Sequence, residues 1–265
     1  MRYLRFIYHI LTIVILTACE VISESDQKIP IEMEETNRTT LIVEFSGLKC
    51  NNCPLAAEEA HNLLAMYGEK LVVVEMHPAS NSLTNGGTKW DYTCPSADEY
   101  YKHWQIPFLP YGVINMSQQT EYQEWGSAYQ QSSKMVSPVT LTQQVNIDST
   151  NTLQIEACIN NLSFNPLEVQ YIAWVTEDSI IGGQLMPDGK TQKKDYVHNH
   201  ILRDAITDIW GMPMEVDAEN STTISLSYAL PDEKVIAKNC NIVGIVMKDG
   251  EAIQVNEYKL KNLIK

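Results

Sequence analysis

Apolar residues enter the folded part of this chain as solid runs. Leu41, Ile42, Val43 and Phe45 form the first, with the composition of a strand buried on both faces. After Gly47 and a short polar turn, Leu55, Ala56, Ala60, Leu63, Leu64 and Tyr67 recur at helical spacing. Gly68 ends that pattern as a C′ glycine does. A second aliphatic run, Leu71–Met76, follows. Strand, helix and strand in this order predict a βαβ unit with parallel pairing and a right-handed crossover.

The next segment is less regular. Residues 79–95 read as loop, marked by Asn85-Gly86-Gly87. Ser96–Trp104 reads as a helix, with Ser96 as N-cap and Glu99 completing a capping box. Tyr111–Met116 is a strand, Trp125–Met135 a helix, and Met135–Pro138 a junction. From Val139 on, strand patterns follow one another: VTLTQQVNI, TLQIEACI, LEVQYIAWVTED, IIGGQLM, YVHNHILRD, TTISLSYAL, NIVGIVM and AIQVNEYKL. Turn signals such as Pro187-Asp188-Gly189 and Lys248-Asp249-Gly250 separate them. About eight short strands at this spacing predict a β-sandwich.

The residues before Thr40 do not belong to either pattern. Arg2 and Arg5 precede a short apolar stretch, Phe6–Leu16, and Leu16-Thr17-Ala18-Cys19 then sets small residues before a cysteine. This is a secretory signal with the ending of a bacterial lipobox, too short to span a bilayer. It predicts cleavage before Cys19 and lipidation there, with Glu20 favouring the outer membrane. Residues 20–39 are acidic and lack apolar periodicity, so they are expected to act as a tether. The whole chain carries 19 basic and 33 acidic residues, a net charge of −14. That balance argues against nucleic acid and anionic lipid headgroups as partners, since both require basic patches.

The chemistry concentrates in Cys50-Asn51-Asn52-Cys53, between the first strand and the helix. A helix N-terminus offers unpaired N–H groups and the positive end of the macrodipole, which stabilise a thiolate. Cys50 is expected to be solvent-reachable and to attack, helped by the neighbouring Lys49; Cys53 in the first turn resolves. A structural disulfide and half of a zinc site are the competing readings, and zinc needs two further ligands that no motif supplies. His77 falls at the end of its strand, on the edge where open α/β sheets place their sites. It is either a proton carrier for the thiols or a hydrogen-bonded histidine shaping the turn with Pro78. His198 and His200 are expected to share a strand face, as a polar pair rather than metal ligands. No metal site and no cofactor are expected. Of the remaining cysteines, Cys94 is a candidate free thiol or a third participant in exchange. Cys158 and Cys240 are either free or bridged, although Cys158 shares its parity with the polar Thr152, Gln154 and Glu156.

The segment LIVEFSGLKCNNCP resembles the active-site segment of the thioredoxin superfamily. That resemblance assigns Glu44, six residues before Cys50, the part of the buried acid that moves the proton of the resolving thiol. It makes Pro110 the candidate cis-proline facing the dithiol, with Pro107 as the alternative. Lys49 stands where thioredoxins carry tryptophan. More broadly, the lipobox, VEFSGLKCNNCPLAAEEA, VVVEMHP, LPYGVINM and YVHNHILRD resemble the outer membrane protein 28 family of Gram-negative lipoproteins. The resemblance implies a thioredoxin-like α/β domain followed by an immunoglobulin-like β-sandwich. The expected organisation is a signal peptide over residues 1–18, a lipidated tether over 19–39, the thioredoxin-like domain over 40–136 and the sandwich over 137–265.

Two functions follow from different classes. One is thiol–disulfide exchange on exported or surface proteins by a lipoprotein held to the membrane through its N-terminal lipid. As an enzyme it would be a thiol–disulfide oxidoreductase. The other is a non-catalytic binding or adhesion lipoprotein that uses its sandwich, with the C-x-x-C as a structural disulfide. A weaker third is metal delivery through Cys50, Cys53 and His77.

Overall fold

A computed structural model of the chain describes residues 36–84, 90–230 and 235–263. The signal peptide, Cys19, most of the tether and the Asn85-Gly86-Gly87 turn lie outside the described residues.

The first half contains β1 (Thr40–Phe45), α1 (Cys53–Tyr67), β2 (Leu71–Met76), α2 (Pro95–His103), β3 (Tyr111–Ile114), β4 (Gln118–Thr120) and α3 (Trp125–Ser132). β1 and β2 pair in parallel, with Glu44 opposite Glu75. β3 pairs antiparallel with β1, and β4 with β3. The period of a strand sorts the side chains by face. Ile42 and Val73 meet Ala56, Ala60 and Leu63 of α1 and Trp125 of α3. Leu41, Val43, Phe45, Val72 and Val74 turn the other way, towards Ala97 and Tyr100 of α2. Both faces are covered, which is why these runs contain so few polar residues.

The second half is strand throughout: β5 (Val139–Ile147), β6 (Thr152–Asn161), β7 (Leu167–Glu177), β8 (Ile180–Leu185), β9 (Gln192–His198), β10 (Ile201–Ala205), β11 (Met212–Val216), β12 (Ser221–Ala229), β13 (Cys240–Lys248) and β14 (Glu251–Lys259). β12, β6 and β5 make a three-stranded antiparallel sheet. Its inner residues, among them Leu141, Ala157 and Ile159, pack on Val169, Tyr171 and Ala173 of β7. β8 and β9 pair with each other as a separate two-stranded hairpin. β7, β10, β11, β13 and β14 extend the first half's sheet in the order β14-β13-β7-β10-β2-β1-β3-β4, with β11 also on β7. The joint is β10 lying parallel to β2, where the Glu75 amide donates to the His200 carbonyl at 2.8 Å. The protein is therefore mostly β, built on one mixed nine-stranded sheet that runs across residue 136.

Several local expectations change. α2 begins at Pro95 after an extended Cys94, with no side-chain cap. Ser96 sits inside the first turn and is buried, so the expected capping box is absent. YVHNHILRD is not one strand. β9 stops at His198, His200 turns in the left-handed region at φ 61°, and β10 starts at Ile201. β13 is buried on both faces over most of its length and β7 through its second half, rather than alternating. The α2 side of the sheet covers Ile172, Trp174, Val243 and Ile245. Trp174 is a fully buried core residue whose Nε1 donates to Tyr100 Oη at 3.3 Å, whereas Trp210 lies on the rim.

Candidate functional site

Cys50 and Cys53 form a disulfide at the start of α1. Pro54 occupies the first turn, where its missing N–H costs nothing. The Cys53 N–H points back along the chain and donates to Cys50 Sγ at 3.1 Å. After reduction, that donor and the helix macrodipole act on Cys50 as stabilisers of a thiolate. The bond preceding Pro110 is cis, and Tyr111 begins β3 directly after it. Lys49 is exposed beside the disulfide.

The expectation that Cys50 is open to solvent is overturned. Cys50 is 3% exposed and Cys53 2%. Both side chains belong to the core cluster of Phe45, Met76, Ala97, Trp104 and Leu109, and the β8–β9 hairpin ties down the backbone of the turn that carries them. Gln184 Nε2 donates to the Cys50 carbonyl at 2.9 Å and to the Gly47 carbonyl at 3.3 Å, and the Leu185 amide donates to Leu48 at 2.9 Å. The Lys49 amide is held by the Leu83 carbonyl at 2.7 Å. Position 47 must be glycine here, because a Cβ would lie 2.7 Å from that same oxygen.

Behind the disulfide lies a buried polar cluster on the α1 side of the sheet. Glu44 is fully buried opposite Glu75, and burial together with the Glu75 charge holds its carboxyl well above the ordinary range. A carboxyl held up in this way is a stronger base than an ordinary glutamate once it is ionised. Burial works against ionising Glu75, but the hydrogen bond and charge of His77, with smaller contributions from His198 and Ser46, outweigh it and lower Glu75. His77 Nε2 lies 2.7 Å from Glu75 Oε1. His198 arrives from the end of β9 and is 2% exposed; burial pushes it down to about 4. Tyr92 packs between the two imidazoles, with ring centroids 5.8 Å from His77 and 5.1 Å from His198. The polar pair expected of His198 and His200, solvent-facing or between the two halves, is split: His198 meets Glu75 and His77 of the first half, whereas His200 leaves this cluster and sits 3.3 Å from Asp178.

The other sequence-derived sites separate in the same way. Cys94, Cys158 and Cys240 are all free thiols. Cys158 and Cys240 are not bridged, because Cys158 sits on the outer face of β6, turned from the core in which Cys240 on β13 is fully buried. Burial pushes the Cys94 thiol up to about 11, which leaves little thiolate for exchange at neutral pH. Metal delivery through Cys50, Cys53 and His77 fails in this state, since disulfide sulfurs are not thiolate ligands. Sequence reasoning missed Gln184 and the approach of His198 to Glu75. The only trace of the second is that Glu75 and His77, two apart on a strand, share a face.

Fold and site together define a β-rich protein on a mixed sheet with a buried C-x-x-C disulfide whose turn is tied down by a hairpin. The model of the family described as outer membrane protein Omp28 matches residues 97–263, and the chain belongs to that family. It is accordingly an outer-membrane protein. No helix among the described residues is long and apolar enough to cross a membrane. The fold is similar to that of HBP35 of Porphyromonas gingivalis, with a TM-score of 0.67 at 16% identity, covering 85% of this chain and 76% of that one. Protein AGR_C_4864 from Agrobacterium tumefaciens is similar over 85% of this chain and 95% of its own, at 12% identity and a TM-score of 0.51. A domain of the outer membrane lipoprotein Omp28 from Porphyromonas gingivalis aligns over 47% of this chain and 89% of its own, at 19% identity and a TM-score of 0.35. No curated protein matches the sequence.

Proposed function

We propose that this outer-membrane protein exchanges thiols and disulfides with exported or surface proteins through a thioredoxin-like Cys50–Cys53 pair, held to the membrane by lipid on Cys19. The observation that carries the reading is the Cys53 N–H directed at Cys50 Sγ at a helix start, with the buried Glu44 carboxyl on the strand that leads to it. In the reducing direction the Cys50 thiolate attacks a partner disulfide, forming a mixed disulfide and releasing one partner thiolate. Cys53 then gives its proton to the site, attacks Cys50 Sγ and releases the second partner thiolate. The partner gains two electrons and the Cys50–Cys53 bond is restored. Ionised Glu44, made a stronger base by its burial, takes the Cys53 proton in this scheme. The reverse sequence oxidises a partner dithiol. Because both cysteines are buried, either direction requires the turn that carries them, which the β8–β9 hairpin holds through Gln184, to open locally.

The burial itself favours a second reading, in which the disulfide is structural and the β-sandwich half binds a surface partner on a thioredoxin-like scaffold. Reduction of insulin disulfides by the pre-reduced protein separates the two. The exchange reading expects precipitation of insulin chains that is lost on Cys50→Ser. Insulin left intact by wild type with both thiols confirmed free supports the scaffold reading.

A further inference from the structure

We propose that Glu75, His77 and His198 bind a divalent transition-metal ion of the zinc class beneath the β8–β9 hairpin. This goes beyond the exchange reading and does not depend on it. The donor set is two imidazoles and one carboxylate, the set that holds zinc with one position left open. One ligand atom from each residue lies within 4.8 Å of the others. Ligands about 2.1 Å from one tetrahedral ion are roughly 3.4 Å apart, so binding draws the widest pair together by about 1.4 Å. Side-chain rotation covers that span.

The surroundings fit an ion better than a hydrogen-bonded core. The Glu75–His77 contact satisfies only one edge of the cluster. His77 Nδ1, His198 Nε2, Tyr92 Oη and Glu44 Oε1 are all buried there without a hydrogen-bond partner. His77 and His198 are 1% and 2% exposed, so these are not atoms that solvent reaches at the surface. Buried polar atoms are almost always paired, and a shared set of orphans marks a place for an ion or an ordered water. The ring of His198 already bonds to the Gly183 backbone, the support by which metal-bound histidines are usually oriented. Its other nitrogen faces the cluster with a free lone pair. The nearby cation, Arg203, is engaged with Glu177 at 3.5 Å. Tyr92 Oη or a water supplies the fourth ligand. A cavity of about 240 Å³, lined by Glu44, Pro54, Ala57, His61, Glu75 and His198, gives an ion a route in between α1 and β9.

The test is zinc binding alone to the oxidised, chelator-stripped mature chain, by titration calorimetry and bound-metal analysis. One equivalent is expected, weakened at least about a hundredfold by His198→Ala and by Glu75→Gln, and unchanged by His103→Ala on α2. No stoichiometric zinc, or undiminished zinc in folded His198→Ala, overturns the proposal. Cobalt substitution in the unmutated protein covers the case in which the variants fail to fold. Ligand-field bands without a thiolate charge-transfer band support the site, whereas a thiolate band places the ion on Cys94, Cys158 or Cys240 and overturns it.

Discussion

Gln184 donates a hydrogen bond to the backbone carbonyl of Cys50 at 2.9 Å, from a hairpin that lies 134 residues further along the chain. The same amide also reaches Gly47. One side chain therefore ties the β8–β9 hairpin to the turn that carries the disulfide. Substituting Gln184→Ala leaves the buried Cys50 carbonyl short of a donor, while Gly47 keeps the Cys50 N–H, at a cost of about 1–3 kcal/mol. The variant is expected to be less stable by that amount in denaturant titration. It is also expected to be reduced faster by a small thiol, by roughly tenfold or more, since about 1.4 kcal/mol of local stability corresponds to tenfold in exposed population. An unchanged reduction rate means the hairpin does not gate the sulfurs.

A steric version of the same test uses Gly182. A Cβ there would lie 1.9 Å from Tyr92 Oη, so Gly182→Ala cannot be accommodated without moving the hairpin or the tyrosine. Overpacking of this kind costs about 1–3 kcal/mol. A lower melting temperature with faster disulfide reduction is expected, read by thermal denaturation and by trapping the free thiols.

The three free cysteines should separate by reactivity. Cys158 is partly exposed on the outer face of its sheet and is expected to be alkylated first in the native protein. Burial pushes Cys94 up to about 11 and Cys240 up to about 12. At pH 8 a thiol with a pKa near 11 is about one part in a thousand thiolate. Mass spectrometry after timed alkylation should show Cys94 and Cys240 unlabelled until pH approaches those values or the protein unfolds.

The same two thiols set a pH dependence of stability. A raised folded-state pKa means the folded protein holds the proton more tightly than the unfolded chain. The stabilisation is complete below the ordinary thiol range and is lost as pH rises towards 11 and 12. Cys94→Ala should therefore lose less stability than wild type between about pH 9 and pH 11. A parallel decline in both proteins contradicts this assignment.

The core of the first half was legible because its strands are buried on both faces. Solid runs such as Leu41–Phe45 leave no alternative role for their residues. The helix after Cys53 could be read from spacing, and its end from Gly68. Pro110 was reached through resemblance, and the cis bond lies there. What could not be read was long-range pairing. β10 enters the first sheet beside β2, and β8–β9 ties down the disulfide turn, because of contacts between segments more than a hundred residues apart. A single sequence carries each strand's pattern but not its neighbour. For that reason Cys50 looked open when it is buried. His198 and His200 looked like one polar pair, facing solvent or the other half, when only His198 is buried against Glu75. The His198–His200 error is local as well: the left-handed turn at His200 breaks the strand, and only a few polar residues adopt that conformation readily.

The equilibrium reduction potential of Cys50 and Cys53 decides whether the pair is the exchange site proposed above. The folded protein is equilibrated against thiol–disulfide buffers of graded potential until the thiol fraction no longer changes. Exchange proteins fall between about −120 and −270 mV, whereas structural disulfides fall below about −300 mV. The account predicts a value in the first range, reached more slowly by wild type than by Gln184→Ala. A potential below about −300 mV would contradict it and leave the disulfide as a structural staple.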